Sequence, residues 1–122
     1  MTRRPFATPP RGGCARELLA QDELPTAVVA GNDRSAHGLL TTLLRAGVHV
    51  PEDVSIVGYD DSQLARLSFI DLTSVRQDAA EVAELAVQAA VERLDGGRAA
   101  DRDIVLNPTL VVRGSTGPPR AS

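Results

Sequence analysis

Polar residues follow two short apolar segments of this chain, and they are the residues best placed to bind a small molecule. Residues 26–30 (TAVVA) lead into Gly31-Asn32-Asp33, and residues 54–58 (VSIVG) lead into Tyr59-Asp60-Asp61. Ligands of open α/β sheets bind beyond the carboxyl ends of the strands. The Asn32 amide can donate and accept hydrogen bonds, and the Asp60 carboxylate accepts them. If the two strands are neighbours, this combination predicts a site for a neutral, hydroxyl-rich molecule.

Asp33 and Asp61 have a structural alternative to direct ligand binding. Asp33 precedes a helical segment, where an N-cap contributes about 1 kcal/mol, and we rank capping ahead of ligand contact there. Asp61 can cap the segment that follows it, or act as a secondary contact of the site. A small enzyme that uses Asp33, Asp60 and Asp61 is a further alternative. We expect no metal site and no cofactor, because no phosphate cradle that would accompany Mg²⁺ is visible.

Composition excludes several other classes of function. The chain has 122 residues and a formal net charge of −3, so it has no overall attraction to a nucleic-acid backbone. All 13 Lys and Arg positions are Arg, which excludes a Walker-type phosphate loop and a Schiff-base lysine. Cys14 is the only cysteine, so neither an intramolecular disulfide nor a thiolate metal cluster can form. We therefore expect a protein that is not an enzyme.

Hydrophobic periodicity predicts an α/β fold with a mostly parallel sheet, because strands alternate with helices along the chain. Asp78 and Glu81 form a capping box at the start of the longest helix. The predicted order is a helix at 14–21, strand 26–30, helix 35–46, strand 54–58, a short helix at 62–68, strand 72–75, helix 78–94 and strand 109–112.

The two ends of the chain are predicted to lie outside the folded domain, which we assign to residues 14–117. Residues 1–13 contain three Arg, three Pro and two Gly, a composition typical of a flexible leader. They lack the apolar core of a signal peptide, and no apolar run is long enough to cross a bilayer, so we expect a cytoplasmic protein. Residues 118–122 are predicted to form a tail.

Four segments resemble the signature of LacI/GalR-type bacterial transcription regulators. Residues 25–33 (PTAVVAGND) are similar to the family's PTAVxAxND, and residues 50–61 (VPEDVSIVGYDD) to its VPxDVSVVGFDD block. Residues 72–77 (LTSVRQ) are similar to LTTVRQ, and residues 110–116 (LVVRGST) to the terminal LVVRGST. The four segments follow the family's order, and the resemblance covers the chain from about Cys14 to its C-terminus.

The resemblance implies the C-terminal part of an effector-binding sensor domain of the periplasmic-binding-protein-like type I fold. This would be an incomplete three-layer parallel-sheet fold that holds the second lobe and crossover elements. Asn32, Asp60 and Gln77 would contact a sugar-like or nucleobase-like effector, with Gln77 near the crossover between lobes. Alternatively, Gln77 bonds the backbone as an ordinary strand-end residue. DNA would be bound only through a helix-turn-helix headpiece that this chain lacks.

The resemblance also implies a homodimer. The helix that begins near Ser35 and the segment around residues 65–69 are similar to the family's dimer-forming surface. In the family, the helix that matches residues 78–94 belongs mainly to the first lobe, so we expect the isolated chain to dimerise through apolar surface or to be marginally stable. A periplasmic sugar-binding protein shares the fold and is the remaining alternative. The expected dimer surface comprises His37, Leu40, Thr41, Leu64, Leu67, Ser68 and Phe69.

Overall fold

The computed structural model describes residues 13–96 and 103–121 as an α/β fold with one open sheet. The predicted α/β class with a mostly parallel sheet is confirmed, whereas the predicted third layer is not packed in the described residues. None of the helices in these residues is long and apolar enough to cross a membrane. The elements are helix α1 (Gly13–Leu19), strand β1 (Ala27–Val29), helix α2 (Asp33–Arg45), strand β2 (Ser55–Tyr59), strand β3 (Thr73–Arg76), helix α3 (Ala79–Leu94) and strand β4 (Thr109–Val111).

The sheet has the order β1-β2-β3-β4, so strands that follow one another in sequence are also neighbours in space. β1, β2 and β3 are parallel, and β4 runs antiparallel to β3. Val28 is opposite Ile56 in the first pair, and Val57 is opposite Thr73 in the second. Because parallel strands need a crossover connection, α2 carries the chain from the end of β1 back to the start of β2. The carboxyl ends of β1, β2 and β3 therefore lie at one edge of the sheet.

The hydrophobic core lies between the sheet and the layer formed by α1 and α2. In α2 the buried apolar residues recur at helical spacing, and Leu43 is fully buried. They pack against Val54 and Ile56 of the central strand region. The connection between β2 and β3 adds Ala65, Ile70 and Leu72 to the same core.

Helix α3 does not form a packed third layer, because it buries none of its side chains. Leu94 is 86% exposed. On the sheet, Val28 packs against the core, whereas Val29 on the opposite face is 76% exposed. The described part of the chain therefore carries apolar surface both on α3 and on the sheet face that lies away from α2.

Two predictions about local structure need correction, and one lies outside the described residues. Residues 62–68 form turns and a bend rather than a helix, and Ala65 among them is fully buried in the core. The predicted tail is bound to the domain: Arg120 donates hydrogen bonds to the carbonyl oxygens of Leu24, Pro25 (3.2 Å) and Asp53 (2.6 Å). The predicted leader, apart from Gly13, lies outside the described residues.

Candidate functional site

The polar ends of β1 and β2 lie side by side, as the sequence predicted, because the two strands are parallel neighbours. A hydrogen bond joins the segments that follow them: the Ser62 amide donates to Asp33 Oδ2 over 2.7 Å. Asn32 and Asp60 therefore belong to the same sheet edge, and both are exposed. Their expected role in effector binding remains a prediction.

The N-cap of α2 is Asn32 and not Asp33, so the predicted capping role of Asp33 is wrong. Asn32 has the extended backbone of a cap residue (φ −160°, ψ 169°), and its Oδ1 accepts from the Ser35 amide over 2.8 Å. Asp33 is the first residue of the helix itself. The Asn32 side-chain oxygen is thus committed to the helix, while its amide nitrogen has no hydrogen-bond partner in the described residues.

Asp33 is a buried connector, with only 1% of its surface exposed. Ser74 Oγ donates to its Oδ1 over 2.5 Å, and the Ser62 amide donates to its Oδ2. Space for the carboxylate exists because Gly58 has no side chain: a Cβ there would overlap Asp33 Oδ1 and come within 2.8 Å of Leu72 Cδ2. Asp33 therefore fixes the loop after β2 to the start of α2 and is not accessible to a ligand.

Asp61 binds three arginines instead of capping a helix. Its side chain is fully buried and accepts from Arg66 Nη2 (3.0 Å), Arg76 Nε (2.8 Å) and Arg113 Nη2 (2.6 Å). Arg113 also donates to the Leu72 carbonyl oxygen over 2.8 Å. We call these four residues the Asp61 cluster. It joins the ends of β2 and β3 to the segment after β4.

The arginines decide the charge state of Asp61. Burial raises the pKa of its carboxyl, but hydrogen bonds from Arg76 and Arg113, the positive charge of Arg113 and a hydrogen bond from Arg66 outweigh burial and lower that pKa to about 2. Asp61 is therefore ionised at every pH at which the protein would normally work. The capping alternative for Asp61 is wrong, because residues 62–68 form no helix and the carboxylate faces the guanidinium groups.

Asp60 and Asp61 form a strained turn at the end of β2. Their φ angles are +110° and +48°, in a region that costs non-glycine residues on the order of 1–3 kcal/mol each. The backbone is held there by two hydrogen bonds, from the Asp60 amide to the Val75 carbonyl oxygen (2.9 Å) and from the Asp61 amide to Ser74 Oγ (3.0 Å). The turn presents the Asp60 carboxylate outward, where no described residue pairs with it.

An open cavity of about 430 Å³ lies beside this turn, and it brings Asp60 and Gln77 together. Arg66 and Arg76 line it as well. In the described residues the Gln77 side chain makes no hydrogen bond, so the backbone-bonding alternative has no support. Asn32 is not among the residues that line this cavity. The structure therefore assembles two of the three predicted contact residues around one space.

Sequence reasoning did not identify the arginines of the site. Arg76 lies inside the LTSVRQ segment, directly before Gln77, and Arg113 lies inside the LVVRGST segment. Each of these two arginines lies at or just after the end of a strand segment, and the acidic pair Asp60-Asp61 follows another strand segment. This combination is a sequence signal for an ion-pair cluster. Which aspartate they bind depends on strand order, which the sequence does not give directly.

Only part of the predicted dimer surface is exposed, and the assignment of Leu40 to that surface is wrong. Leu40 is 6% exposed and belongs to the core, because it lies on the face of α2 that packs against the sheet. Leu64 is half-buried and packs against the same core, and His37 and Thr41 are also half-buried. Leu67, Ser68 and Phe69 are exposed, Phe69 to 78%. Within the predicted dimer surface, the exposed apolar side chains are therefore those of Leu67 and Phe69, in the turns after β2.

The aspartates do not form a metal or catalytic cluster. Across residues 13–96 and 103–121, no group of three or more His, Cys, Asp or Glu side chains could hold a metal ion. The Asp33 and Asp61 carboxylates are engaged by protein donors, which leaves Asp60 as the accessible carboxylate of the three. The alternative of an enzyme that uses these three aspartates together has no support in this geometry.

Comparisons with known proteins agree with this architecture. A family model described as "Periplasmic binding protein-like domain" matches residues 3–116. The ribose operon repressor of Haemophilus influenzae is 38% identical over 100 residues, which are 82% of this chain and 30% of the repressor. The chain therefore spans about 30% of the length of that curated relative.

Solved structures of transcriptional regulators also superpose on this chain. A LacI transcriptional regulator from a Rhodococcus species superposes with a TM-score of 0.80 at 48% identity, covering 88% of this chain and 39% of the regulator. The transcriptional regulator CelR in complex with cellobiose superposes with a TM-score of 0.77 at 35% identity, covering 83% of this chain and 31% of that protein. These similarities extend over most of the described residues.

Proposed function

This chain belongs to the periplasmic-binding-protein-like domain family, in the form that LacI-type transcription regulators contain, and we propose that it is the part of such a regulator that senses a small polar effector. The observation that carries the proposal is the strained Asp60–Asp61 turn. It presents an unpaired carboxylate beside Gln77 in a cavity of about 430 Å³. Strained backbone held in place by a surrounding network is a common feature of binding sites.

The chemistry of the cavity suits a ligand with several hydroxyl groups. Asp60 accepts hydrogen bonds from hydroxyls, while the Gln77 carboxamide both donates and accepts. A hydrogen bond to a charged group contributes roughly 1.5–3 kcal/mol once it is shielded from water. Asn32, at the same sheet edge, has a free amide nitrogen that could complete the recognition.

In the whole regulator, the effector would act by linkage. A ligand that binds one arrangement of the protein more tightly shifts the population toward it, and the binding affinities of effector and DNA become coupled. We propose that the chain works as a homodimer inside the bacterial cell and that DNA is bound by another part of the protein. The match to a ribose operon repressor and to a regulator solved with cellobiose supports regulation rather than solute capture.

The test is a thermal-shift titration of the chain with D-ribose, cellobiose and adenine, which represent a monosaccharide, a disaccharide and a nucleobase. A ligand at ten times its Kd stabilises the folded state by roughly 1.4 kcal/mol, which corresponds to a rise in Tm of about 5 °C for a domain of this size. Asp60→Asn should abolish that rise while preserving the fold, because Asn also tolerates positive φ.

Asp22→Asn is the matched control, since Asp22 is exposed and lies far along the chain from the cavity residues. It should respond to the ligand as the parent does. The proposal is wrong if none of these ligands raises the Tm and no charged sugar such as D-glucuronate or D-ribose 5-phosphate does so either, or if Asp60→Asn and the parent show equal shifts.

A further inference from the structure

The Asp61 cluster contains more positive charge than its one carboxylate can neutralise. Three guanidinium groups lie within 3.0 Å of the Asp61 carboxylate oxygens. Arginine remains protonated at any accessible pH, and Asp61 is ionised with a pKa of about 2. The cluster therefore carries two uncompensated positive charges, before more distant groups are counted.

Two of the arginines keep free donors at the cavity. Arg76 uses its Nε for Asp61, and Arg66 uses its Nη2 for the Asp61 carboxylate and the Asp61 carbonyl oxygen. Their other N–H groups have no partner among the described residues. The two side chains are 56% (Arg66) and 47% (Arg76) exposed, whereas Arg113 is only 14% exposed and also bonds a carbonyl oxygen.

Other charged groups at the cavity limit where an anion can bind. Asp60 and Asp78 also line it, but neither forms an ion pair with Arg66 or Arg76 in the described residues. The Asp78 carboxylate is the N-cap of α3 and accepts from the Glu81 amide over 3.0 Å. The cavity thus has a positive part at the two arginines and a negative part at Asp60 and Asp78.

We propose that the effector is a hydroxyl-rich anion, a sugar-like molecule that carries a carboxylate or a phosphate group. This inference rests on the proposed sensing function and goes beyond the neutral ligand that the sequence predicted. The anionic group binds the free guanidinium donors of Arg66 and Arg76, whose planar geometry suits carboxylate and phosphate oxygens. The hydroxyl groups lie against Asp60 and Gln77, whose side-chain oxygens accept hydroxyl donors, and the negative charge of Asp60 keeps the anionic group at the arginines.

Isothermal titration of the full chain with matched sugars tests this assignment. The pairs are D-glucose with D-glucuronate, and D-ribose with D-ribose 5-phosphate, so that the carboxylate and the phosphate are tested separately. Inorganic phosphate is the third probe and reports on the anion alone. We expect one anionic sugar to bind at least about tenfold more tightly than its neutral partner and than inorganic phosphate. Its affinity should fall as salt is raised, because the arginines are partly exposed.

Variants identify the residues responsible. Arg66→Gln and Arg76→Gln should each weaken the anionic sugar by about 10- to 100-fold and leave the neutral partner within about twofold. Substitution of Arg66 should disturb the fold less than substitution of Arg76, because more than half of the Arg66 side chain is exposed. Circular dichroism of both variants verifies the fold. Arg45→Gln, an exposed position at the end of α2, removes the same charge away from the cavity and should have no effect.

The outcomes separate this inference from the proposed function. Equal binding of neutral and anionic sugars overturns the anionic assignment and leaves effector sensing intact. Inorganic phosphate that binds as tightly as the sugar phosphate also overturns it, since hydroxyl recognition is then absent. If none of the sugars binds while cellobiose or adenine raises the Tm, the anionic assignment is wrong and the sensing function stands; if none of these ligands binds, both are wrong.

Discussion

Asp61→Asn is the substitution whose consequences follow most directly from the geometry. It removes the only negative charge bonded to Arg66, Arg76 and Arg113 in the described residues and leaves three guanidinium groups close together. The amide also places an N–H donor against other N–H donors. Removing one partner of a buried ion pair is strongly destabilising. Partial exposure of Arg66 and Arg76 moderates this cost through solvent screening.

The pKa of Asp61 sets the magnitude. In the folded protein that pKa is lowered from 3.8 to about 2, and one pKa unit corresponds to about 1.4 kcal/mol. A carboxyl with a depressed folded pKa adds stability above its unfolded pKa, and that contribution is lost as the pH falls through the folded value. The ionised Asp61 carboxylate should therefore contribute about 2 kcal/mol to the free energy of unfolding near pH 7 and little to it at pH 2. We expect Asp61→Asn to lower the free energy of unfolding by about 2–4 kcal/mol at pH 7.

Urea unfolding, followed by circular dichroism at intervals from pH 7 to pH 2, measures this difference. The difference in the free energy of unfolding between parent and variant should become smaller below about pH 4, because Asp61 of the parent becomes protonated as the pH falls. Asp53 also has a lowered pKa, chiefly because the His49 amide donates to its carboxylate. Both proteins share that contribution, so it cancels in the comparison. Asp22→Asn is the control and should follow the parent at every pH.

A constant gap between parent and variant across this pH range would refute the electrostatic account, because it would mean that the charge of Asp61 is not what stabilises the fold. A gap below about 0.5 kcal/mol at pH 7 would equally contradict it, since surface ion pairs alone produce values of that size.

Two further predictions concern the framework of the site. Asn32→Ala should destabilise the chain by about 1 kcal/mol through loss of the α2 cap, while Asn32→Ser should retain most of the stability. Equal urea midpoints for the parent and Asn32→Ala would show that the Asn32 side chain does not stabilise α2 as an N-cap. Gly58→Ala should lower the free energy of unfolding by about 1–3 kcal/mol through overpacking, because the added Cβ would overlap the Asp33 carboxylate. Gly38→Ala is the control, since a Cβ there meets nothing within 4 Å. Equal Tm values for the two variants would refute the steric reasoning.

Sequence patterns located most of the regular elements to within one or two residues. The helix predicted at 78–94 is α3, with Asp78 as its N-cap, because capping and apolar periodicity are local signals. The connection between β2 and β3 was predicted as a helix and forms turns. The local sequence of residues 62–68 does not decide between the two states; in the structure Ala65, Ile70 and Leu72 pack into one core from these turns.

The roles of the aspartates show the limit of sequence reasoning. Asn32 and Asp33 are adjacent, and both residue types favour N-caps. The structure chose Asn32 because Asp33 can enter a buried site made by Ser74 and by the absence of a side chain at Gly58, residues 41 and 25 positions away in sequence. No local pattern contains that information.

The sequence alone determined the alternation of helices and strands, the acidic and amide residues at the ends of two strands, and the resemblance to a regulator family. These features depend on neighbouring residues and on hydrophobic period. Tertiary structure decided that Asp61 binds three arginines, that Leu40 is buried, and that Asp60 and Gln77 share a cavity with Arg66 and Arg76. Such contacts arise from strand order and packing, which bring together residues far apart in the chain.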